Sequence, residues 1–432
     1  MTRPPTIRGP PAFLPVGSFY GTLAAVRELG RAGIPAAVAD ASLFAPALWS
    51  RFAATRMRSP PLRLSEPYLD WLRRAGRQRP GMVLLPTTDE LAWLVAANAA
   101  ELGRIFRIAH ASEEVQLTLL DKCALSEAAA AAGVPTLPSR FPAGEDELLS
   151  CSSELPFPLV VKPRTQLFHR NHCKGSVVDD RASLVRAWRA FAAVGCADPV
   201  LLRRRPGLQL PFVQAYAPEV RRGVLSVVGF MESAEDIFVT RQVRKRVLDP
   251  RQLAIGLSFE SGPEEPGVAD SVRALCESVG YSGIFEAEFV WFEKAWRLID
   301  FNPRFYGQMQ LDIARGLPLA ELAYLRALGE RDAMRTLALA AADTAGGPQA
   351  HIHGLPLRIE LALMRLSGSL GKGETRRWSE WLSATRTSKT DAVFDRFDRL
   401  PSLADALQTV YGYARHPRTL LRRLLARSPQ RA

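Results

Sequence analysis

The sequence predicts a multidomain protein of mixed α/β and α+β class, with a parallel α/β domain first, antiparallel strands next and a mainly helical C-terminal extension. Strands alternate with helices between residues 11 and 110, which is the pattern of a parallel sheet. Several later strands, up to residue 302, follow one another through turns. Helical patterns dominate from residue 308 onwards. With 432 residues the chain exceeds one ordinary hydrophobic core, so two or three domains are expected.

The N-terminal pattern begins with the apolar strand "AFLPVG", the amphipathic helix "TLAAVRELGRAG", which ends at Gly33, and the strand "IPAAVAD". A further strand, "GMVLLP", leads through a turn with Thr87, Thr88 and Asp89 into another helix. Ligands of parallel sheets bind beyond the carboxyl ends of the strands, so the turn at residues 86–89 is expected at the rim of a site. The first strand is not followed by GxGxxG, which disfavours dinucleotide binding.

The middle of the chain contains strands that end in polar residues. A helix opens with Asp-Lys at residues 121–122 and stops at Gly133. The segments "LPFPLVVKPR" (155–164) and "PFVQAYAPE" (211–219) are predicted strands, and "GVLSVVGFM" and "DIFVTRQVRK" are predicted antiparallel neighbours. A helix at about 267–280 leads to the hairpin "GIFEAEFVWFEKAWRLIDFN", with its turn at residues 293–295. Residues 331–432 contain an alanine-rich helix, a Gly/Pro break near 346–348 and a basic end.

The amino-acid composition and the net charge limit the classes of protein to which the chain can belong. The chain is 47% hydrophobic and 23% charged, and its apolar runs stay well short of the roughly 20 residues that a transmembrane helix needs. The first residues lack the layout of a signal peptide, and five scattered cysteines suit a reducing compartment, so a cytoplasmic protein is expected. The net charge of +12 does not predict nucleic-acid binding, because aromatic residues do not interleave with the basic ones.

Lysine is scarce, since only seven of the 56 basic residues are lysines. A lysine kept in such a chain marks a candidate position for a compact charge on a flexible stem. Lys162 ends a buried strand, which is typical of a phosphate contact, although lysines also snorkel from strand ends. Lys122 lies in the first turn of a helix, where a bound phosphate would offset an unfavourable dipole interaction; an exposed helical lysine is the alternative.

The hairpin at residues 283–302 carries the strongest chemical signal. Glu286 and Glu288 share a face of its first strand. On the second strand, alternation predicts one face with Trp296, Leu298, Asp300 and Asn302, and the other with Ile299 and Phe301. If the polar faces coincide, their oxygens converge as a Mg²⁺ site completed by substrate phosphates. The alternative is a hairpin with one solvated face, which its apolar flanks disfavour.

These segments, in this order, resemble the ATP-grasp superfamily, and in particular its carboxylate–amine ligase branch, which is related to carbamoyl phosphate synthetase. The matching features are "DK" at 121–122, "PLVVKP" at 158–163, "FVQAYAPE" at 212–219 and the stretch from "GIFEAEFVW" to "GLPL" at 283–319. The resemblance covers roughly residues 12–330. It implies a pre-ATP-grasp domain at 1–115, an ATP-grasp domain at 116–330 with lobes at about 125–212 and 213–330, and an extension at 331–432.

The resemblance also implies roles for individual residues. Glu288, Asp300 and Asn302 would be metal ligands, and Lys122 and Lys162 would bind ATP phosphates. A further group would serve the nucleotide and the reaction: Gln214, Ala215, Tyr216 and Glu219 at the nucleoside, Arg241 at the phosphates, and Arg304, Lys162 and Arg244 in catalysis. The implied cofactors are ATP and Mg²⁺, with Mn²⁺ as an alternative metal. The implied partners are a small carboxylate and a small amine, and a homo-oligomer is left open.

Two departures from the family pattern keep alternatives open. The phosphate loop is expected to be glycine-rich, yet "RTQLFHRNHCKGSVV" contains only Gly175, and Asp300 stands where glutamate is commoner. An ATP-binding pseudoenzyme or scaffold is therefore the alternative to a ligase. A biotin-type carboxylase is a third possibility, which would need a partner subunit because a biotin-carrier lysine context is absent from the sequence.

Two other features of the sequence each have a functional and a structural interpretation. His351 and His353 share one strand face and are candidates for a metal site, but a third ligand is not evident, which favours coincidence. The segment "RHPRTLLRRLLAR" (415–427) is a candidate basic amphipathic helix. It would contact an anionic membrane or a partner, or else pack through its leucines.

Overall fold

The computed structural model describes residues 9–151, 154–169, 174–218, 223–246, 256–344, 346–368 and 370–415. Within them the named strands form three sheets: one parallel, one antiparallel, and one large sheet that is antiparallel except at one end. The mixed class predicted from the sequence is confirmed. None of the helices in this part of the chain combines the length and the apolar character needed to cross a bilayer.

The N-terminal domain is built on a four-stranded parallel sheet with the order β3-β2-β1-β4. Its strands are β1 (Ala12–Leu14), β2 (Ala36–Asp40), β3 (Ala53–Arg58) and β4 (Val83–Leu84). Its helices are α1 (Tyr20–Arg31), α2 (Ser65–Gln78), α3 (Asp89–Ala97), α4 (Ala99–Leu102) and α5 (Glu113–Leu120). The parallel arrangement confirms the expectation from alternating strands and helices, and it leaves the loops after β1 and β4 at one edge.

A four-stranded antiparallel sheet with the order β5-β8-β6-β7 forms the small lobe. Its strands are β5 (Ser139–Arg140), β6 (Leu159–Pro163), β7 (Ser176–Val178) and β8 (Pro211–Ala215). The helices of this region are α6 (Lys122–Ala131), α7 (Glu145–Cys151), α8 (Arg181–Val194) and α9 (Pro199–Arg204). Asp121 caps α6 by accepting a hydrogen bond from the Cys123 backbone N–H, so Lys122 is the first helical residue, as the sequence predicts.

The large sheet has seven strands with the order β13-β12-β9-β10-β11-β14-β15. Its strands are β9 (Val224–Glu232), β10 (Ile237–Lys245), β11 (Ser258–Ser261), β12 (Gly283–Phe292), β13 (Ala295–Asn302), β14 (Ala350–Ile352) and β15 (Lys389–Asp391). The accompanying helices are α10 (Val268–Val279), α11 (Met309–Ala314), α12 (Leu319–Leu328), α13 (Arg331–Ala342), α14 (Gly354–Leu366), α15 (Lys372–Ala384) and α16 (Leu400–Arg415).

The sheets divide the chain differently from the predicted boundaries at two places. Strand β8 belongs to the small lobe's sheet, so that lobe extends past residue 212. Strands β14 and β15, which follow residue 330, extend the large sheet, so the C-terminal extension is integrated into it and is not purely helical. The sequence indicated a strand at residues 351–353, but pairing between distant segments leaves no local pattern, and β15 has only three residues, too few to give a periodicity.

The two faces of the large sheet have different partners. On one face Leu225, Phe285 and Phe289 pack with residues of α6 and α10 in a single apolar cluster. On the other, Val228 and Phe230 join the core of the N-terminal domain through α1, α11 and α12. The second face also carries the polar residues of the predicted site, farther along the same strands.

A buried ion pair ties the C-terminal extension to the N-terminal domain. The Arg27 Nε of α1 donates to Asp398 Oδ2 over 2.9 Å, and the two side chains are 1% and 2% exposed. Asp398 also accepts hydrogen bonds from the Ser50 hydroxyl and the Arg51 backbone N–H, both at 2.8 Å. Every polar partner of this carboxylate therefore comes from the first domain.

We predict that Asp398→Ala destabilises the protein by about 3–5 kcal/mol, because it leaves the Arg27 guanidinium buried without its counter-charge. Chemical denaturation would measure the change. Asp395→Ala is the matched control, since Asp395 pairs with Arg31 at a partly exposed position and should lose less than about 1 kcal/mol. Equal losses in the two variants would contradict the structural role of the buried pair.

Candidate active site

A cavity of about 150 Å³ lies between the small lobe and the large sheet. Its apolar end is lined by residues from both lobes, namely Leu137, Val160, Phe212, Ala217, Val290 and Ile299. Its polar end is lined by four lysines and two carboxylates, namely Lys122, Lys162, Lys174, Lys245, Glu288 and Asp300. A cavity that is apolar at one end and densely charged at the other suits a ligand with a flat apolar part and an anionic part.

The hairpin of β12 and β13 has the register that brings the polar faces together. Glu288 lies opposite Asp300, and Glu286 lies opposite Asn302. The two turn residues, Glu293 and Lys294, have φ values of 48° and 63°, as a two-residue hairpin turn requires. The register therefore brings the polar faces of the two strands together, which is the condition that the predicted site requires.

The strict alternation predicted along β13 is wrong, because a register shift follows Glu288. Phe289 pairs with Leu298 instead of Ile299, so Ile299 is the extra residue of a β-bulge. Leu298 and Phe301 consequently both pack in the apolar cluster beneath the sheet. Ile299 and Asp300 both line the cavity, although alternation placed them on opposite faces.

Each carboxylate of the cavity is paired with a lysine from another element. Asp300 accepts from the Lys122 ammonium at the start of α6, and Glu288 accepts from the Lys245 ammonium at the end of β10. Burial opposes ionisation of Asp300, but the charge and hydrogen bond of Lys122, together with the charges of Lys174 and Arg304, lower the pKa of Asp300. Burial likewise disfavours the Lys245 ammonium, yet Glu288 and Glu286 raise its pKa above the ordinary value. Each of the two carboxylates that line the cavity thus has a lysine ammonium as its direct partner.

Glu286 has a different environment from Glu288. It is 5% exposed and accepts hydrogen bonds from the Ser226 hydroxyl at 3.1 Å, the Gln308 amide at 2.5 Å and the Asn302 amide at 3.1 Å. Burial raises the pKa of Glu286, and the charge of Glu288 raises it further. Glu286 therefore orients Asn302 from beneath, which leaves Glu288 and Asp300 as the carboxylates that line the cavity.

Lys162 and Gln214 meet across the small lobe's sheet. The Lys162 Nζ donates to Gln214 Oε1 over 2.8 Å, and the Gln214 amide donates to the Ser139 hydroxyl over 3.1 Å. Burial lowers the pKa of Lys162 to about 8. Ala215 and Tyr216 follow Gln214 along the cavity wall. Glu219, predicted at the ribose, lies outside the described residues.

The structure does not bring Arg244 to the cavity. It lies opposite Leu225, whose side chain belongs to the apolar cluster on the other face of the sheet. Its guanidinium pairs with Glu265 and stacks over the Trp296 ring at 5.4 Å. The catalytic role assigned to Arg244 is therefore corrected: the residue one position later, Lys245, is the one that faces the cavity.

Arg241 shares the cavity face of β10 but lies farther along the strand. Its guanidinium donates to the Ala341 carbonyl at 2.7 Å and the Thr344 carbonyl at 3.1 Å, beside the C-terminal end of α13. These contacts use the arginine to satisfy the carbonyl groups that a helix end leaves unpaired. The predicted phosphate contact of Arg241 is thus replaced by a structural one.

Arg304 lies beside the site, but its guanidinium N–H groups already donate to oxygen atoms of the protein. Its Nε and Nη2 form a two-pronged pair with Asp89 at 2.8 and 2.9 Å, and other contacts reach Asn302 Oδ1 at 3.0 Å and the Phe305 carbonyl at 2.8 Å. Asp89 belongs to the 86–89 turn, which therefore lies at the rim of the site as predicted. Arg304 thus joins the N-terminal domain to the hairpin.

Sequence reasoning missed Lys174 and Lys245, although a signal was present. Lysine is scarce in this chain, and four of its seven lysines line this one cavity. Ser226 was also missed, because a small residue between two charged strands has no distinctive pattern. Its hydroxyl bonds Glu286, and its small size lets Lys245 reach across β9 to Glu288.

The histidine pair that the sequence offers as a candidate metal site has a structural role. His351 and His353 are buried with their rings 5.3 Å apart, and His351 Nδ1 meets the Thr390 hydroxyl. Across the described ranges, a group of three His, Cys, Asp or Glu side chains able to hold a metal ion is not found, either here or at the hairpin. The histidine pair is thus part of the packing between β14 and its neighbours.

Comparison with known proteins identifies the fold. The scan against family models finds no matching family, and the search of curated protein sequences finds no match. Solved structures do match. N5-carboxyaminoimidazole synthetase from Staphylococcus aureus complexed with ADP has a TM-score of 0.54 at 13% identity, covering 73% of this chain and 77% of that one.

Two further structures of comparable similarity have other chemistries. The biotin carboxylase domain of 2-oxoglutarate carboxylase from Hydrogenobacter thermophilus, with MgADP, ADP and bicarbonate, has a TM-score of 0.59 at 16% identity over 74% of this chain and 70% of that one. L-amino acid ligase from Bacillus licheniformis has a TM-score of 0.55 at 15% identity over 75% of each chain. The chain has the ATP-grasp fold, which confirms the resemblance at the level of the fold.

We predict that the Lys162 ammonium titrates at a pH of about 8 and that Asp300→Asn lowers this pKa, because the charge of Asp300 opposes the effect of burial. Lysine-selective NMR is suited to the measurement, since the chain has only seven lysines. Glu277→Gln, which changes an exposed carboxylate on α10, is the control. A Lys162 pKa that does not respond to Asp300→Asn would show that the two groups are not electrostatically coupled.

Proposed function

We propose that this protein is an ATP-dependent ligase that joins a carboxylate to an amine. The observation that carries the proposal is the pair of carboxylates on the hairpin, Glu288 and Asp300, each matched by a lysine at the charged end of the interlobe cavity. Phosphoryl transfer requires little covalent chemistry from a protein and depends on positioned charge. This cavity concentrates that charge in one place, and its apolar end would accept a base.

The donor set fits Mg²⁺. Glu288 and Asp300 offer carboxylate oxygens and Asn302 an amide oxygen, all hard ligands. Mg²⁺ is commonly held by one or two carboxylates and completed by phosphate oxygens and water, so a group of three protein carboxylates is not needed. When bound, Mg²⁺ supplies positive charge to the β- and γ-phosphates of ATP. We propose the same donors for Mn²⁺.

The lysines would exchange partners when the nucleotide binds. Lys122 and Lys245 are held near the cavity by Asp300 and Glu288, and Lys162 is held by Gln214. Phosphate oxygens are stronger acceptors for an ammonium than an amide oxygen is, so Lys162 is placed to turn to the phosphates. Lys122 and Lys245 would be released toward the phosphates when Asp300 and Glu288 bind the metal ion. The apolar residues and the backbone from Gln214 to Tyr216 would hold the base.

The proposed chemistry has two steps. A carboxylate oxygen attacks the γ-phosphorus of ATP, the bond to the β-phosphate oxygen breaks, and ADP leaves with an acyl phosphate formed. The amine nitrogen then attacks the acyl carbon, phosphate leaves, and the nitrogen loses a proton to give the amide. Lys122, Lys162 and Lys245 would stabilise the negative charge that develops in the first step. Arg304 would not contact phosphate directly. It would position Asn302 through a hydrogen bond and join the hairpin to the N-terminal domain through its pair with Asp89.

A second candidate function is nucleotide binding without turnover. Two observations favour it: the glycine-poor segment after Lys162, and the commitment of Arg304 to Asp89. Incubation with ATP, Mg²⁺ and pools of carboxylic acids, bicarbonate included, and amines separates the two functions. A ligase releases ADP only with a cognate pair, whereas a binding protein gains thermal stability from ATP and releases none.

We predict that Asp300→Asn lowers the rate of ADP release by at least about a hundredfold with a cognate pair, because it removes a metal ligand and the partner of Lys122. Asp270→Asn on the exposed surface of α10 is the control and should keep the parent rate. Turnover at the parent rate in Asp300→Asn would contradict the assignment of Asp300 as a metal ligand.

We also predict that Lys245→Met and Arg244→Met differ sharply, although the residues are adjacent. Lys245 faces Glu288 in the cavity, and Arg244 lies on the opposite face of the sheet. Isothermal titration with ATP and Mg²⁺ should show at least about tenfold weaker binding for Lys245→Met and little change for Arg244→Met. Weakening of both variants to the same degree would contradict the assignment of faces.

A further inference from the structure

A stripe of exposed apolar side chains runs along α16. Leu400, Leu403, Leu407, Val410 and Tyr411, which we call the α16 stripe, are 44% to 66% exposed. Their spacing of three, four, three and one residues places all five on one narrow face of the helix. The adjoining face packs against the turn at Pro46–Trp49 and buries Pro401, Ala404 and Asp405. The helix is therefore anchored. On its outer face the Tyr411 ring lies 6.3 Å from the Phe44 ring, while all five side chains of the stripe stay largely exposed.

The charge around the α16 stripe has one sign. Arg396, Arg399 and Arg415 are exposed. The neighbouring carboxylates are engaged within the protein, since Asp395 pairs with Arg31, Asp398 pairs with Arg27 and Asp405 accepts from the Tyr20 hydroxyl. The apolar stripe is thus bordered by arginines, while two of the nearby carboxylates are paired with other arginines and the third is buried beside Tyr20.

The sequence after the stripe continues the same composition. Between residues 406 and 432 the chain contains no Asp or Glu, and it contains arginines at 415, 418, 422, 423, 427 and 431. Residues 416–432 lie outside the described part of the chain. The exposed aromatic residues Phe394 and Phe397 immediately precede the helix. Apolar and aromatic side chains beside a basic segment are typical of a protein face that lies on an anionic membrane.

We propose that the α16 stripe docks on an anionic phospholipid surface. Its leucines enter the boundary between headgroups and acyl chains, and the flanking arginines pair with lipid phosphates. A second copy of the chain is a poorer occupant, because a two-fold interface built on this stripe would bring the same arginines together. The stripe belongs to the C-terminal extension, so this contact is separate from the interlobe cavity and does not depend on its chemistry.

Flotation of the full-length protein with lipid vesicles tests the proposal. Binding is expected to vesicles of phosphatidylcholine containing phosphatidylglycerol, to be much weaker with phosphatidylcholine alone, and to fall as salt rises. The double variant Leu403→Glu/Leu407→Glu should bind the anionic vesicles at least about tenfold less, since it places charge within the stripe. Both positions are exposed, so the thermal unfolding temperature should stay unchanged.

Matched controls are available on other helices. Leu339 on α13 and Leu366 on α14 are 63% and 77% exposed, and Leu339→Glu/Leu366→Glu should bind vesicles as the parent does. Failure of the parent protein to bind the anionic vesicles would overturn the proposal, as would equal loss in both double variants. A dimer in analytical ultracentrifugation that Leu403→Glu/Leu407→Glu dissociates, without any lipid binding, would assign the stripe to a second copy instead.

Discussion

Two carboxylates on the inner face of the large sheet impose the main constraint on this structure. Glu288 and Asp300 lie opposite each other in adjacent strands, where unpaired like charges would repel and ionisation would be costly. The chain meets this constraint with Lys245 from β10 and Lys122 from the first turn of α6. The position of α6 between the two lobes is thereby coupled to the hairpin. The same charges that make the cavity suitable for phosphates also help to hold its walls together.

The bulge at Ile299 reconciles two demands on β13. The strand must keep Leu298 and Phe301 in the apolar cluster beneath the sheet and also direct Asp300 into the cavity. A regular strand with alternating side chains cannot place Leu298 and Asp300 on opposite faces. One extra residue accomplishes this and adds Ile299 to the apolar end of the cavity. A single local irregularity therefore shapes both ends of the site.

Contacts distant in sequence fasten the other edges of the site. Asp89 of the N-terminal domain holds Arg304, and Arg304 in turn holds Asn302. Asp398 of the C-terminal extension holds Arg27 of the same N-terminal domain. The N-terminal domain is thus joined to the hairpin by the Arg304–Asp89 pair and to the C-terminal extension by the Arg27–Asp398 pair. Because both pairs are largely buried, each depends on its partner far more than a surface pair would.

The sequence by itself determined the class of fold, the parallel first sheet, the hairpin and its carboxylates, because these depend on local periodicity and on residue type. It also marked the lysines through their scarcity. Only the tertiary structure decided which basic residue of "RQVRKR" faces the cavity, that Arg304 is bound by Asp89, and that β14 and β15 join the large sheet. A register shift of one residue reverses the face of a side chain, and pairing between distant segments leaves no local pattern, so neither is encoded in spacing alone.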